Sequence, residues 1–242
     1  MIPVWFAATA SAHVPVVYIT SADEDWCAVI NGTVGSDIVL LMPGIYTGPC
    51  DAEAKLSNQP GEQTTVESFD PLDPAVFTGS TADYVLRATG ESLLLVQLEF
   101  RDLPPGVDAV RVGDIREFWV RYGWFRNLPG HGIVHDGVVD NLVVTDSEFT
   151  DVDRPIDLGC DGGCPIPRFE VSESLFVGGS EALAVGAGTW GTIRENVFGD
   201  VAVGIRAGGA VGGELELVGN LVDAVGAGIV LESGPVLVDA NI

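Results

Sequence analysis

Ile133, Val134, His135 and Asp136 lead to Phe149, and Ile156, Asp157, Leu158 and Gly159 lead to Phe176. These two stretches decide the fold, because the same arrangement continues in both directions. Towards the N-terminus, Val110 to Gly113 leads to Phe125, and an earlier copy runs from Val85 to Phe100. Towards the C-terminus, Leu183 to Gly186 leads to Phe198, Ile205 to Gly208 leads to Leu221 and Val222, and Ile229 to Glu232 leads to Ile242. Successive phenylalanines from Phe100 to Phe198 stand 25, 24, 27 and 22 residues apart. Self-similarity at a fixed period in this range is the mark of a solenoid.

Each unit holds short apolar runs rich in Val, Ile, Leu and Phe, cut by Gly, Asp, Asn and Pro. That composition predicts strand, turn, strand, with no sustained helical period. Leucine-rich repeats are a poor match, since their Leu and Asn spacing is missing. A strand-only repeat of this length fits one coil of a parallel β-helix, and the chain reads as an all-β, single-stranded solenoid of about seven coils. Period-2 alternation points Phe118 and Val120 inward and Trp119 and Arg121 outward, and likewise Leu142 with Val144 and Phe169 with Val171 inward. Two residues before each phenylalanine lie Gly123, Ser147, Ser174 and Asn196, and Asn220 and Asn241 fall at the same turn. Asn and Ser tolerate tight turns and can bond their counterparts in the next coil, which predicts an internal asparagine ladder, strongest in the last coils.

The chain has 242 residues, 35 acidic against 11 basic, and a formal net charge of −24. Such a surface repels nucleic acid and anionic membranes. No apolar run approaches the ~20 residues of a membrane span. Residues 1–12 are apolar and end on a small-x-small pattern, Ala10, Ser11, Ala12, so they read as a secretory signal. Residues 13–242 read as one domain: a cap and entry strands over 13–83, with a short helix near Asp25 to Asn31, then repeat coils over 84–242. The last coil stops at Ile242 without a polar cap, so either the chain is a fragment or another coil or subunit covers an edge that invites association. Cys27 with Cys50 and Cys160 with Cys164 is the simplest of three disulfide pairings and agrees with a secreted protein. A zinc site from Cys160, Cys164, His131 and His135 is the competing use of those residues, although the spacing matches no standard pattern.

The entry region carries a resemblance. Tyr18 to Ala22, Asp25 to Asn31, Ser36 to Pro49 (with Asp37, Ile38, Leu40 and the turn Pro43, Gly44, Ile45, Tyr46), Thr64 to Val66 and Ala75 to Gly79 follow in an order that resembles secreted right-handed β-helix proteins of the pectin-lyase-like superfamily. Within it they are most similar to chondroitinase B and the alginate lyases. The resemblance implies a right-handed coil and an extracellular or periplasmic location. It does not extend to the lyase machinery: those enzymes resemble one another in a Lys/Arg pair and an Asn-Gly-x-Glu type segment, and this chain has no Lys after Lys55 and no Asn-Gly outside Asn31–Gly32.

Several side chains outside that machinery carry candidate chemistry. Trp119, Arg121, Tyr122 and Trp124, with Arg194 further along, are read as a platform for a sugar ring and its carboxylate. Arg121, His131, Asp136, Asp157 and Asp161 are the residues a catalytic role would fall to, since two or three carboxylates on adjacent coils could serve hydrolysis. His135 aligns with Val112, Leu158 and Val185 and is read as a core or turn residue, whereas His131 lies in a loop and is the better titratable group. Arg87 and Arg111 align in neighbouring coils with Asp157 two coils on, a basic column that needs an anion or a carboxylate beside it. Asp151, Asp153 and Asp157, or Asp136 and Asp140, are the carboxylates that Ca²⁺ would use, although no ligand loop surrounds them. The leading functional reading is a secreted, polysaccharide-interacting β-helix without a recognisable catalytic set. A divergent lyase or glycoside hydrolase, and a structural or adhesive solenoid, are the alternatives.

Overall fold

The structure, a computed structural model, describes residues 13–56, 62–159, 166–208, 214–232 and 236–242. The proposed leader over 1–12, and Asp161, Cys160 and Cys164, lie outside the described residues.

Every strand pairing among the described residues is parallel, and the chain winds as a right-handed β-helix with three sheets along its length. In the first sheet Val39, Val66, Leu95, Val120, Val144, Val171, Ile193 and Leu217 share one register position. In the second sheet the shared position is Tyr46, Phe77, Phe100, Phe125, Phe149, Phe176, Phe198 and Val222, which marks eight rungs. In the third it is Cys50, Leu86, Val110, Ile133, Ile156, Leu183, Ile205 and Ile229. Two of these rungs, at Tyr46 and at Phe77, fall within the stretch 13–83 that the sequence suggests as cap and entry strands. Gly44–Gly48 and Cys50–Ala54 build a complete coil rather than a mere entry, because Tyr46 and Cys50 take the same inward positions as later Phe and Leu.

The alternation in sequence explains the core. Inward residues such as Val144, Phe149 and Ile156 are fully buried, while their neighbours Thr145, Thr150 and Asp157 face outward. From Phe77 to Phe198 the rings stack coil on coil, with centroids 4.6 to 5.2 Å apart and planes within 17°. The strand spacing sets that distance, and each stacked pair adds about 0.5–1.5 kcal/mol beyond its buried area.

A helix, α1 (Trp26–Gly32), closes the N-terminal end. The Asp25 side chain caps it by accepting from the Ala28 amide at 3.0 Å. Trp26 packs its ring on Phe77 at 5.2 Å, finishing the aromatic column. A disulfide from Cys27 to Cys50 ties the helix to the third sheet. Among the described residues no helix is long and apolar enough to cross a membrane.

The ladder runs inside the turn between the first and second sheets. Asn241 Oδ1 accepts from the Asn220 amide and Nδ2, at 3.0 and 2.8 Å. Asn220 Oδ1 accepts in the same way from Asn196, at 3.1 and 3.0 Å. The series continues through the serines: the Ser174 amide donates to Asn196 Oδ1, the Ser147 amide to Ser174 Oγ, and the Gly123 amide to Ser147 Oγ. The residue before each ladder position is left-handed: Tyr122, Asp146, Glu173, Glu195 and Ala240 have φ between 51° and 58°. Ladder bonds and sheet pairing together hold non-glycine residues in a conformation that costs roughly 1–2 kcal/mol each.

Candidate functional site

The outer surface of the third sheet gathers charge from successive coils. Asp51, Arg87, Arg111, Val134 and Asp157 form one outward register column. Arg111 is bracketed by carboxylates, with Nε and Nη2 at 2.9 and 2.8 Å from Asp108 Oδ2 and Nη1 at 2.9 Å from Asp83. Its guanidinium also sits over the Tyr84 ring, 5.6 Å from the centroid. Arg87 forms no ion pair with a described residue, and its Nε is buried without an acceptor.

His131 links three coils. Its Nδ1 meets Asp108 Oδ1 of the preceding coil at 2.8 Å, and its Nε2 lies 3.6 Å from Asp157 of the following coil. Its backbone amide also donates to Asp108, at 3.3 Å. Asp157 in turn accepts from the Gly159 amide at 2.8 Å and faces Arg154 at 3.6 Å. The glycines flanking His131 are required by close approach. A Cβ at Gly130 would come 2.9 Å from the Val107 carbonyl oxygen, and one at Gly132 would come 2.6 Å from that of Pro155. This Gly-His-Gly string therefore has a local reason: the strand pairing shifts register between Leu128 and His131, and the backbone is squeezed between its neighbours.

Charge balance follows from the geometry. Hydrogen bonding to Asp108 and contact with Asp157 push the His131 pKa up to about 9, against the opposing effect of burial, so the ring is an imidazolium at neutral pH. Burial pulls Asp108 and Asp157 up, but His131, with Arg111 at Asp108 and the Gly159 amide at Asp157, outweighs it and holds both below the usual carboxylate range. These groups line an open cleft of about 470 Å³ with Asp136 on its rim, a size within the range of small-ligand sites.

The expected sites fare differently. His131, Asp157 and Asp136 come together in the cleft, joined by Asp108, which the sequence reading missed. Asp108 is 23 residues from His131, about one coil period, and that spacing is the signal that could have found it. His135 is buried in the column between Val112 and Leu158, and neither ring nitrogen finds a partner at good hydrogen-bond geometry. Burial depresses its pKa, with the backbone near Gly137 and Leu158 opposing weakly.

The tryptophan platform does not assemble as expected. Trp119 and Arg121 do share the outer face of the first sheet, but the Arg121 guanidinium lies 5.3 Å from the Trp119 ring centroid and covers it. Tyr122 occupies the left-handed turn, so the chain bends there and Trp124 begins the second sheet, beside Glu99 and Glu148. Arg194 is in register with Arg121 but three strands away, roughly 14 Å at the strand spacing, and it pairs with Glu170 at 2.8 Å.

Among the described residues no three His, Cys, Asp or Glu side chains converge to hold a metal ion. Asp151 and Asp153 are exposed, whereas Asp157 turns to His131. The zinc alternative needs Cys160 and Cys164, which are not described.

No known family's sequence pattern matches the chain, and no curated protein matches it. Solved structures do. A point mutant of the PL6 family alginate lyase AlyGC superposes with a TM-score of 0.51 at 14% identity, covering 89% of this chain and 40% of that one. A mannuronic acid specific polysaccharide family 6 lyase from human gut microbiota gives 0.51 at 14%, covering 85% and 58%. Pectate lyase Pel9A gives 0.44 at 11%, covering 93% and 79%. The chain thus spans about half the length of the first two. At such identity the likeness speaks to the fold alone, and that fold is the parallel β-helix.

Proposed function

We propose that this β-helix is an exported, polysaccharide-interacting protein that contacts its glycan along the third sheet, across the His131 cleft. The carrying observation is the convergence of Arg111, His131, Arg154, Asp108 and Asp157 from successive coils on one open cleft. A repetitive polymer suits a surface whose groups recur at the coil spacing. Cationic groups in the cleft, with Arg87 beside it, can read carboxylates or hydroxyls of a sugar, and the aspartates accept from hydroxyls. That solved proteins of similar fold are polysaccharide lyases supports the class of ligand, and the Cys27–Cys50 disulfide supports export.

A second reading is enzymatic, and one observation favours it: His131 is kept protonated between two carboxylates, as a proton donor at a glycosidic oxygen would be. An imidazolium is a poor base at neutral pH, so this reading favours acid-assisted hydrolysis over β-elimination.

The test is a panel of alginate, pectate, chondroitin and neutral glycans, scored for binding and for cleavage with Ca²⁺ and with chelator. Binding that falls with Arg111→Ala and His131→Asn is the expected result. Cleavage would move the protein to the enzymatic reading, with unsaturated sugars absorbing in the ultraviolet marking a lyase. Silence on both counts would leave a structural solenoid.

A further inference from the structure

A second concavity lies on the first sheet, around a tryptophan that the third-sheet cleft does not use. Trp190 precedes the strand Gly191–Arg194 and is 41% exposed. Its main chain is pinned on both sides, because its amide donates to the Ile166 carbonyl at 3.2 Å and its carbonyl accepts from the Phe169 amide at 3.2 Å. The preceding Thr189 is buried, and its hydroxyl accepts from the Ile166 amide. The ring is thus presented from a fixed backbone. Next to it the main chain of Gly191 lines the same cavity; Gly191 stands at an inward position, in register with the buried Phe169 and Leu215, where a Cβ would come 2.1 Å from the Phe169 carbonyl oxygen.

Beyond Gly191, Glu170, Thr192 and Glu216 form an outward column on three successive coils. With Trp190, Arg168 and Glu214 they line a cavity of about 360 Å³. Glu170 is oriented by Arg194 at 2.8 Å and by the Ser172 hydroxyl at 3.0 Å, both on the same oxygen, which leaves the other free to accept. An exposed indole face beside the Gly191 main chain suits the apolar face of a pyranose ring. Carboxylates and a threonine at coil spacing suit the ring's hydroxyls. Three glutamates against Arg168 and the engaged Arg194 make the cavity hostile to an anionic sugar.

We propose that the Trp190 cavity is a binding site for an uncharged pyranose unit, separate from the third-sheet cleft. Trp190 supplies the stacking face, and Glu170 and Glu216 accept hydroxyls. The ligand class differs from a uronate because the cavity carries the wrong charge for one.

The experiment is calorimetric and fluorescence titration of the full chain with neutral oligosaccharides (cello-, manno- and chitin-oligomers) and with an oligouronate. Trp190→Ala, Trp190→Phe, Glu216→Gln and Arg111→Ala are compared after their melting temperatures are checked. The expected result is binding of at least one neutral oligomer that weakens about tenfold in Trp190→Ala, is largely kept in Trp190→Phe, and falls measurably in Glu216→Gln. Binding of no neutral oligomer would overturn the proposal, as would affinity unchanged in Trp190→Ala. Loss with Arg111→Ala instead of Trp190→Ala would put the neutral sugar in the third-sheet cleft and also overturn it. Failure of the third-sheet reading would show separately, as polysaccharide binding insensitive to Arg111→Ala and His131→Asn.

Discussion

The Asn and Ser ladder and the His131 cluster both reach from coil to coil, yet they do different work. The ladder is neutral, buried and repeated, and each side chain satisfies backbone groups that the turn would otherwise strand. The cluster is ionic, largely buried and occurs once among the described residues, and it leaves cationic groups facing an open cleft. Neutral cross-coil bonds add stability wherever the turn recurs. A charged cross-coil contact adds less, because solvent screens it, and it ties stability to pH. The contrast separates what holds the solenoid together from what gathers charge on one face.

Substitutions can break that contrast in order of size. The largest loss is expected from Phe149→Ala, which opens a cavity between the Phe125 and Phe176 rings. About 3–5 kcal/mol should be lost, read as a lower midpoint in denaturant at unchanged slope. Asn220→Ala comes next. It strands the Asn196 amide and the Ile193 carbonyl inside the turn, at about 2–3 kcal/mol, and urea unfolding should show no pH dependence of this loss between pH 5 and 8.

His131→Asn should cost less, about 1–2 kcal/mol at neutral pH, and its cost should vary with pH. The folded pKa of His131 is raised, so its contribution is fully present below the unfolded value near 6.5 and is lost as pH rises through about 9. The gap between wild type and His131→Asn should therefore close above pH 9. A gap that stays constant from pH 6 to 10 would refute the ionic account. Asp108 and Asp157 are depressed, so their contribution is present above the ordinary carboxylate pKa and disappears in acid, as pH falls through their folded values.

The smallest effect sharpens the comparison from inside the core. His135 is depressed by burial, so it destabilises the fold as pH falls below the unfolded value near 6.5. His135→Leu, matching Leu158 in the same column, should be nearly neutral at pH 8 and stabilising by about 1 kcal/mol near pH 5.5, measured by thermal melts at the two pH values.

Much of this was legible because a solenoid repeats locally. The inward columns, the ladder turn and the buried position of His135 follow from alternation and period, which each coil carries in its own residues. The aligned Arg87, Arg111 and Asp157 were also visible as a column. The Tyr122 and Trp124 platform was misread for a local geometric reason: a single left-handed residue turns the chain onto another sheet, and Tyr is not a residue that announces such a turn. The rungs at Tyr46 and Phe77 were hidden in the expected entry segment because Tyr46 and Cys50 replace the usual Phe and aliphatic residues at the inward positions, and because Tyr46 and Phe77 stand 31 residues apart.

The amino-acid sequence by itself determined the period, the inward and outward faces, and the side chains that bond within each turn, because these depend on neighbours along one strand and on spacing to the next coil. Only the tertiary structure decided which outward residues meet. Asp108, His131 and Asp157 come from three coils of unequal length, and Trp190, Glu170 and Glu216 line one cavity from three successive coils, so their meeting depends on the register each turn imposes. That register is a sum over the whole stack, and no single segment of the sequence carries it.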